Sequence, residues 1–338
     1  MRIFSPGSIK FGFAVSLMLP LGAIAQIGSS GTNANGSNSN AIVTGVTFLT
    51  ISPDSRSGAM GDAGVATTPD VNANYWNPSK LAFLDGNDNL SLSYSPWLRR
   101  LVPDVSLAYL SYAHQMDNRN TIGASLRYFN LGTIDLVDAS QNSQGSYRPS
   151  EFSFDVSLAR KFGENFSLGL TGRYIHSNLL NGAFSSGEQT RPATGVAADV
   201  SMYYKKTSTQ FGRNALFAFG VDISNIGTKI SYTDGGSKYF LPTNLKIGTA
   251  NTWYIDKVNE FTVTLDLNKL LVPTPPIRDA DGKIIKGKDD NRSVPAGIFG
   301  SFSDAPGGFS DELREISYSP GIEYRYNKQF ALRAGYFY

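Results

Sequence analysis

No cysteine occurs in the 338 residues, so disulfides and thiolate metal sites are excluded. Histidine is nearly as scarce: the two imidazoles, His114 and His176, are far apart in the chain and leave no pair for a zinc site or a proton relay. Charged residues make up only 17% of the chain and balance to a net +2, which gives no concentrated basic face for nucleic acid. Beyond the N-terminus no apolar run is long enough for a transmembrane helix. Any membrane residence must therefore come from strands. What the chain does have is 34 glycines, 21 phenylalanines and 17 tyrosines, more than an ordinary cytosolic enzyme of this size carries.

The first residues read as an export signal. Arg2 and Lys10 supply the positive flank, Phe11 to Ala25 is an apolar run of about 15 residues, and Ala23-Ile24-Ala25 has the small-x-small form of a cleavage site. Residues 1–25 are thus expected to be a signal peptide, with Gln26 the mature N-terminus. Pro20 and Gly22 break a run already too short to span, which argues against an uncleaved anchor. Residues 26–45, rich in Gly, Ser and Asn, are expected to be a disordered linker.

Period-two alternation then recurs along the chain. It is clear at Ile122/Ala124/Leu126/Tyr128, Phe152/Phe154/Val156/Leu158, Val196/Ala198/Val200/Met202 and Phe261/Val263/Leu265/Leu267. Between these apolar residues sit Ser125 and Arg127, Asp155 and Ser157, Thr171 and Arg173, Asp199, Asp222 and Asp266. One face of each strand is oily and the other carries charge. A soluble antiparallel sandwich would also show this pattern. Strands of about ten residues and aromatics near strand ends (Tyr94 and Trp97, Tyr128 and Phe129, Tyr203 and Tyr204, Trp253 and Tyr254) favour an all-β transmembrane antiparallel barrel with interfacial girdles. The links support that choice: from the third onward, long and short connections alternate, and the long set is expected to face outward.

Roughly eleven strands are visible, from Leu90–Ser95 to Phe330–Tyr338, whereas single-chain bacterial barrels close with an even number. Either Val46 to Ile51 supplies another strand, or the closing strands lie beyond Tyr338. The second is expected. Before the first strand, residues 46–88 form a segment rich in small residues, suited to a plug or latch within a barrel spanning residues 89–338. Gly61 and Gly64 leave room where backbone packs on backbone, Asn77-Pro78 sets a fixed turn, and Arg56, Asp54 and Asp62 flank the run. Charges buried there are expected to pair with inward residues such as Arg127, Arg173 or Asp199.

Four blocks carry a specific resemblance: FLTISPDSRSGAMGDAGVATTPDVNANYWNPSKLAFL from Phe48, YFLPTNLKIG from Tyr239, LDLNKLLVPTPP from Leu265 and FSDAPGGFSDELREI from Phe302. Together they resemble the PorV family, outer-membrane components of the Bacteroidota type IX secretion system with a fold similar to the FadL hydrophobic-compound transporters. The resemblance implies a barrel of about fourteen strands, hence roughly three beyond Tyr338, in line with the even-number rule. It also implies a non-catalytic shuttle without cofactor. Such a shuttle binds the C-terminal signal domain of cargo at a SprA/Sov-type translocon and delivers it to a PorU-type sortase and attachment complex. The other function considered is a FadL-like uptake channel for hydrophobic small molecules.

Residues 269–314 form a connection too long to be a simple link. Phe299, Phe302 and Phe309, beside Pro306-Gly307-Gly308, are the candidate partner-binding residues; the alternative is a self-packed lid. Asp279, Asp281 and Gly282 suggest half of a calcium loop, but the later ligands are missing, so a glycine-containing turn is expected. His114 is expected in a turn and His176 near a strand end. Neither has a positioned catalytic partner.

Overall fold

The computed structural model describes residues 41–97, 104–137, 140–179, 190–279 and 281–338. The expected signal peptide and most of the expected linker lie outside the described residues.

Eleven strands form one antiparallel sheet in which each strand pairs with its neighbour in the chain. They are β1 (Asp88–Pro96), β2 (Val105–Gln115), β3 (Asn120–Leu131), β6 (Ser150–Lys161), β7 (Phe166–Asn178), β8 (Ala193–Gln210), β9 (Arg213–Gly227), β10 (Asn244–Tyr254), β11 (Asn259–Leu270), β14 (Ile316–Tyr326) and β15 (Phe330–Gly335). Two small hairpins branch from the long links: β4 (Ile134–Val137) with β5 (Ser143–Tyr147), and β12 (Ile277–Arg278) with β13 (Ile284–Lys286). The sheet is open, with β1 and β15 as its edge strands. Val46 to Ile51 adds no strand. Thr47–Thr50 is a 3-10 turn whose Phe48 and Leu49 are buried.

The polarity of this sheet is inverted relative to a soluble protein. Along β6, Glu151, Ser153, Asp155 and Ser157 are buried while Phe154, Val156 and Leu158 are exposed. The same holds on β7, where Thr171 and Arg173 are buried and Leu168, Leu170 and Tyr174 exposed, and on β8, where Asp199 and Ser201 are buried and Val196 and Val200 exposed. Because successive side chains point to opposite faces, one strand sorts both sets. In water this arrangement would be costly on both faces.

Period two also corrects the aromatic girdle. Phe129 and Tyr203 are one residue out of step with their outward neighbours Tyr128 and Tyr204, so they fall on the inward face and are buried. Phe129 packs with Phe48 and Leu49, and Tyr203 with Ala66 and Phe83. His114, expected in a turn, ends up inside β2, where its Nδ1 lies 2.9 Å from Asp88 Oδ1.

Two of the short turns share one chemistry. Asp117 Oδ1 accepts the N–H groups of Arg119 and Asn120, at 2.7 and 2.8 Å, and Oδ2 accepts from Asn120 Nδ2. Asp256 does the same for Val258 and Asn259, at 2.8 and 2.9 Å. An Asp three residues before an Asn thus caps the backbone of both corners.

Candidate functional site

Residues 46–84 cover the inward face of the sheet through four short turns: Thr47–Thr50, α1 (Ser55–Gly58), α2 (Ala73–Trp76) and the six-residue 3-10 turn Pro78–Phe83. Asp54 is the N-cap of α1, accepting the Ser57 N–H at 3.0 Å, and its other oxygen takes the Trp76 indole N–H at 2.6 Å. Burial pushes the Asp54 carboxyl above its ordinary range, against these hydrogen bonds. Gly61 and Asp62 both adopt left-handed backbone, at φ 70° and 64°. At Gly61 a Cβ would lie 2.4 Å from the Tyr336 carbonyl oxygen, so only glycine fits. Gly64 is needed for another reason: a Cβ there would enter the Trp76 ring.

The polar groups of this segment are matched one by one to the sheet. Asp266 on β11 accepts the N–H groups of both Gly64 and Val65, at 2.7 and 2.8 Å. Asn77 Nδ2 donates to the carbonyls of Val65 and Met202, at 3.0 and 2.9 Å, and Asn77 Oδ1 accepts the Ser79 hydroxyl. Pro78 then begins its turn at the position where a missing N–H costs nothing. Lys80, 1% exposed, donates to the Gly64 carbonyl at 2.7 Å and to Thr67 Oγ1 at 3.0 Å; burial lowers its ammonium to about 8.

Arg56 uses all five of its N–H groups. Two go to Glu323 on β14, at 3.1 and 3.0 Å, one to Asp70 at 2.6 Å, and two to the carbonyl and hydroxyl of Thr68. The expected partners Arg127, Arg173 and Asp199 are thus corrected. Arg173 forms its own cluster on the sheet with Asp155 at 2.7 Å, Asp199 at 2.8 Å and Asn225. Arg127 donates to the Leu49 carbonyl at 2.9 Å and lies 4.3 Å above the Tyr75 ring. Asp62 faces Ser52, and burial raises its carboxyl.

Sequence reasoning missed the strand glycines. On β3, β7, β9, β14 and β15, a Cβ at Gly123, Gly169, Gly220, Gly321 or Gly335 would come within 2.7 Å of Asn74, Ser79, Val65 or Met60. The available signal was a glycine inside an alternating strand pattern, which marks a close backbone approach. A cavity of about 990 Å³ remains beside the segment, bordered by Tyr75, Trp76, Tyr94, Trp97 and Lys246.

The long connection after β11 is a braced structure. Lys269 Nζ bridges Glu312 at 2.9 Å and Glu315 at 2.7 Å; Glu315 also accepts the Thr274 hydroxyl, and Glu312 the Ala305 N–H at 2.8 Å. On this frame sit α3 (Val294–Gly300) and α4 (Phe309–Arg314). They present Phe299 and Phe309, 79% and 77% exposed, with Phe302, 50% exposed, between them in the chain. Pro306 is half-buried, Gly307 leaves space for the Asp311 carboxylate, and Gly308 turns the chain at φ 71°. Asp279 accepts the N–H groups of Asp281 and Lys283 and so closes the β12–β13 turn through Gly282.

The sequence matches the family of type IX secretion system protein PorV over residues 34–277. No curated protein matches it. Among solved structures, it is similar to the Ralstonia pickettii toluene transporter TbuX, with 11% identity, a TM-score of 0.41 and coverage of 83% of this chain and 85% of that one. It is also similar to the P. putida toluene transporter TodX, with 12% identity, a TM-score of 0.46 and coverage of 83% and 82%.

Proposed function

The chain belongs to the PorV family of type IX secretion system proteins, and from that premise we propose that it is a non-catalytic outer-membrane shuttle. In this reading it takes the C-terminal signal domain of secreted cargo from a SprA/Sov-type translocon and delivers it to a PorU-type sortase and attachment complex. The inverted polarity of the sheet carries the membrane part. Phe154, Val156, Leu170 and Val200 face lipid, and Asp155, Arg173 and Asp199 face an interior occupied by residues 46–84 as a plug. Signal peptide, plug and barrel then follow one another as residues 1–25, 46–88 and 89–338. The braced loop bearing Phe299, Phe302 and Phe309, beside Pro306-Gly307-Gly308, is the docking surface for cargo or translocon.

Deletion of the gene tests the proposal. Proteins with C-terminal signal domains should accumulate in the periplasm, and normal secretion would overturn the shuttle. One observation favours a second reading, an uptake channel for hydrophobic small molecules: the cavity of about 990 Å³ lined by Tyr75, Trp76 and Tyr94. Under that reading the deletion strain secretes normally and fails to grow on a hydrophobic nutrient.

A further inference from the structure

A second, smaller pocket of about 290 Å³ lies where β8 begins and the link after β9 folds back. Its lining is Arg191, Pro192, Thr194, Lys229, Ile230, Ser231 and Lys238. Three cations and two hydroxyls therefore share one small space. Among the described residues, the carboxylate within ion-pair distance of any of the three is Asp234, 2.9 Å from Arg191. Among the described residues that leaves an excess of two positive charges.

The backbone beneath is pinned. Arg191 N–H donates to the Tyr232 carbonyl at 2.9 Å, and Ile230 and Tyr239 exchange both hydrogen bonds, at 2.9 and 2.8 Å. Ile230 is buried in the cluster with Val46 and Leu241, which fixes the stretch of the link that carries Lys229 and Ser231. Lys229 Nζ itself rests 4.1 Å above the Phe240 ring. These are cations on a fixed scaffold.

Position identifies the ligand. Thr194 is exposed on β8 while its neighbours Ala193 and Gly195 are buried, so it points to the outward face, in step with Val196. Its partner across β7 is His176, and the next outward residue there is Tyr174. The pocket thus begins one outward step, about 7 Å, from the apolar surface of Val196 and Tyr174. It stands at the end of the sheet that bears the long links, the end that faces outward in barrels of this class. A dissolved anion would have no reason to choose this height.

The geometry points to a binding site for the phosphate group of an outer-leaflet lipid headgroup, held by Arg191, Lys229 and Lys238 with Thr194 as hydroxyl donor, while the acyl chains lie along Val196 and Tyr174. This inference rests on the reading of the sheet as a membrane barrel.

The test uses the full folded protein, delipidated in detergent and offered bis-phosphorylated lipid A, the same lipid with its phosphates removed, or inorganic phosphate, with retention read by native mass spectrometry. Phosphorylated lipid A should be retained at least about tenfold over the dephosphorylated form, and millimolar inorganic phosphate should not displace it. The variant R191Q/K229Q/K238Q should lose that preference, and K238Q, an exposed position that leaves folding intact, should weaken it about fivefold. Equal retention of the two lipids by the unaltered protein, an unchanged preference in both variants, or displacement by inorganic phosphate would each overturn the site. Failure of the membrane reading is seen separately, as loss of heat-modifiable gel mobility and of bilayer insertion in the unaltered protein.

Discussion

Arg56 forks onto the carboxylate of Glu323, 267 positions later in the chain, with N–O distances of 3.1 and 3.0 Å. Glu323 also accepts from Arg333 at 2.6 Å, so one buried acid ties the inner segment to both β14 and β15. Removing one member leaves buried charge without its partner, which costs about 3–5 kcal/mol, more than replacing the whole group with apolar residues. E323Q and R56Q should each lower the temperature at which the folded gel band is lost. The double variant should lose less than the sum of the two. Strict additivity would show that the fork contributes no coupling.

The strand glycines make a sharper case because each has a built-in comparison. At Gly169 an added Cβ would come 2.6 Å from the Ser79 backbone nitrogen, whereas at Gly172 on the same strand nothing lies within 4 Å. G169A should destabilise by about 1–3 kcal/mol and increase protease cleavage within residues 46–84. G172A should do neither. Equal effects at the two positions would contradict the close packing.

Lys80 supplies a pH signature. Its folded value of about 8 lies below the ordinary 10.5, because burial disfavours the ammonium. Below about 8 both folded and unfolded states hold the proton, and the full cost of burying the charge is present. Between about 8 and 10.5 the unfolded state binds more protons, so stability should rise as pH increases. Unfolding in detergent at pH 7.5, 9 and 10 measures the slope, and K80M should flatten it.

Phe299, Phe302 and Phe309 bury little, so replacing all three with alanine should change folding stability by no more than about 0.5 kcal/mol. Under the shuttle proposal the same variant should lose co-purifying cargo and translocon. Retention of both partners would return the three residues to the role of a lid.

The strands and their facing were legible in the sequence because period-two alternation is local: Phe154, Asp155 and Val156 declare their faces within three positions. What was not legible depended on distance. Nothing near Arg56 distinguishes Glu323 from Asp199 as its partner, and the match is made only when β14 is placed beside the inner segment. A strand at Val46 to Ile51 was the alternative that the strand count left open, but the burial of Phe48 and Leu49 with Val105 and Ile175 goes with a turn there. Phe129 and Tyr203 were placed outward because aromatics cluster near strand ends, whereas their step in the alternation decided their side. The strand glycines were visible as residues. Their purpose was not, since it lies in the backbone of another element.

The twin Asp-x-x-Asn corners at Asp117 and Asp256 bear on assembly. Each closes its hairpin with bonds made entirely within four consecutive residues, so neither β2–β3 nor β10–β11 must wait for a distant neighbour before its register is set. A lone strand would enter hydrocarbon with its amides bare, while a hairpin already zipped at one end enters with half of them answered. Under the barrel reading, these corners set the register of each pair locally, ahead of any contact with hydrocarbon.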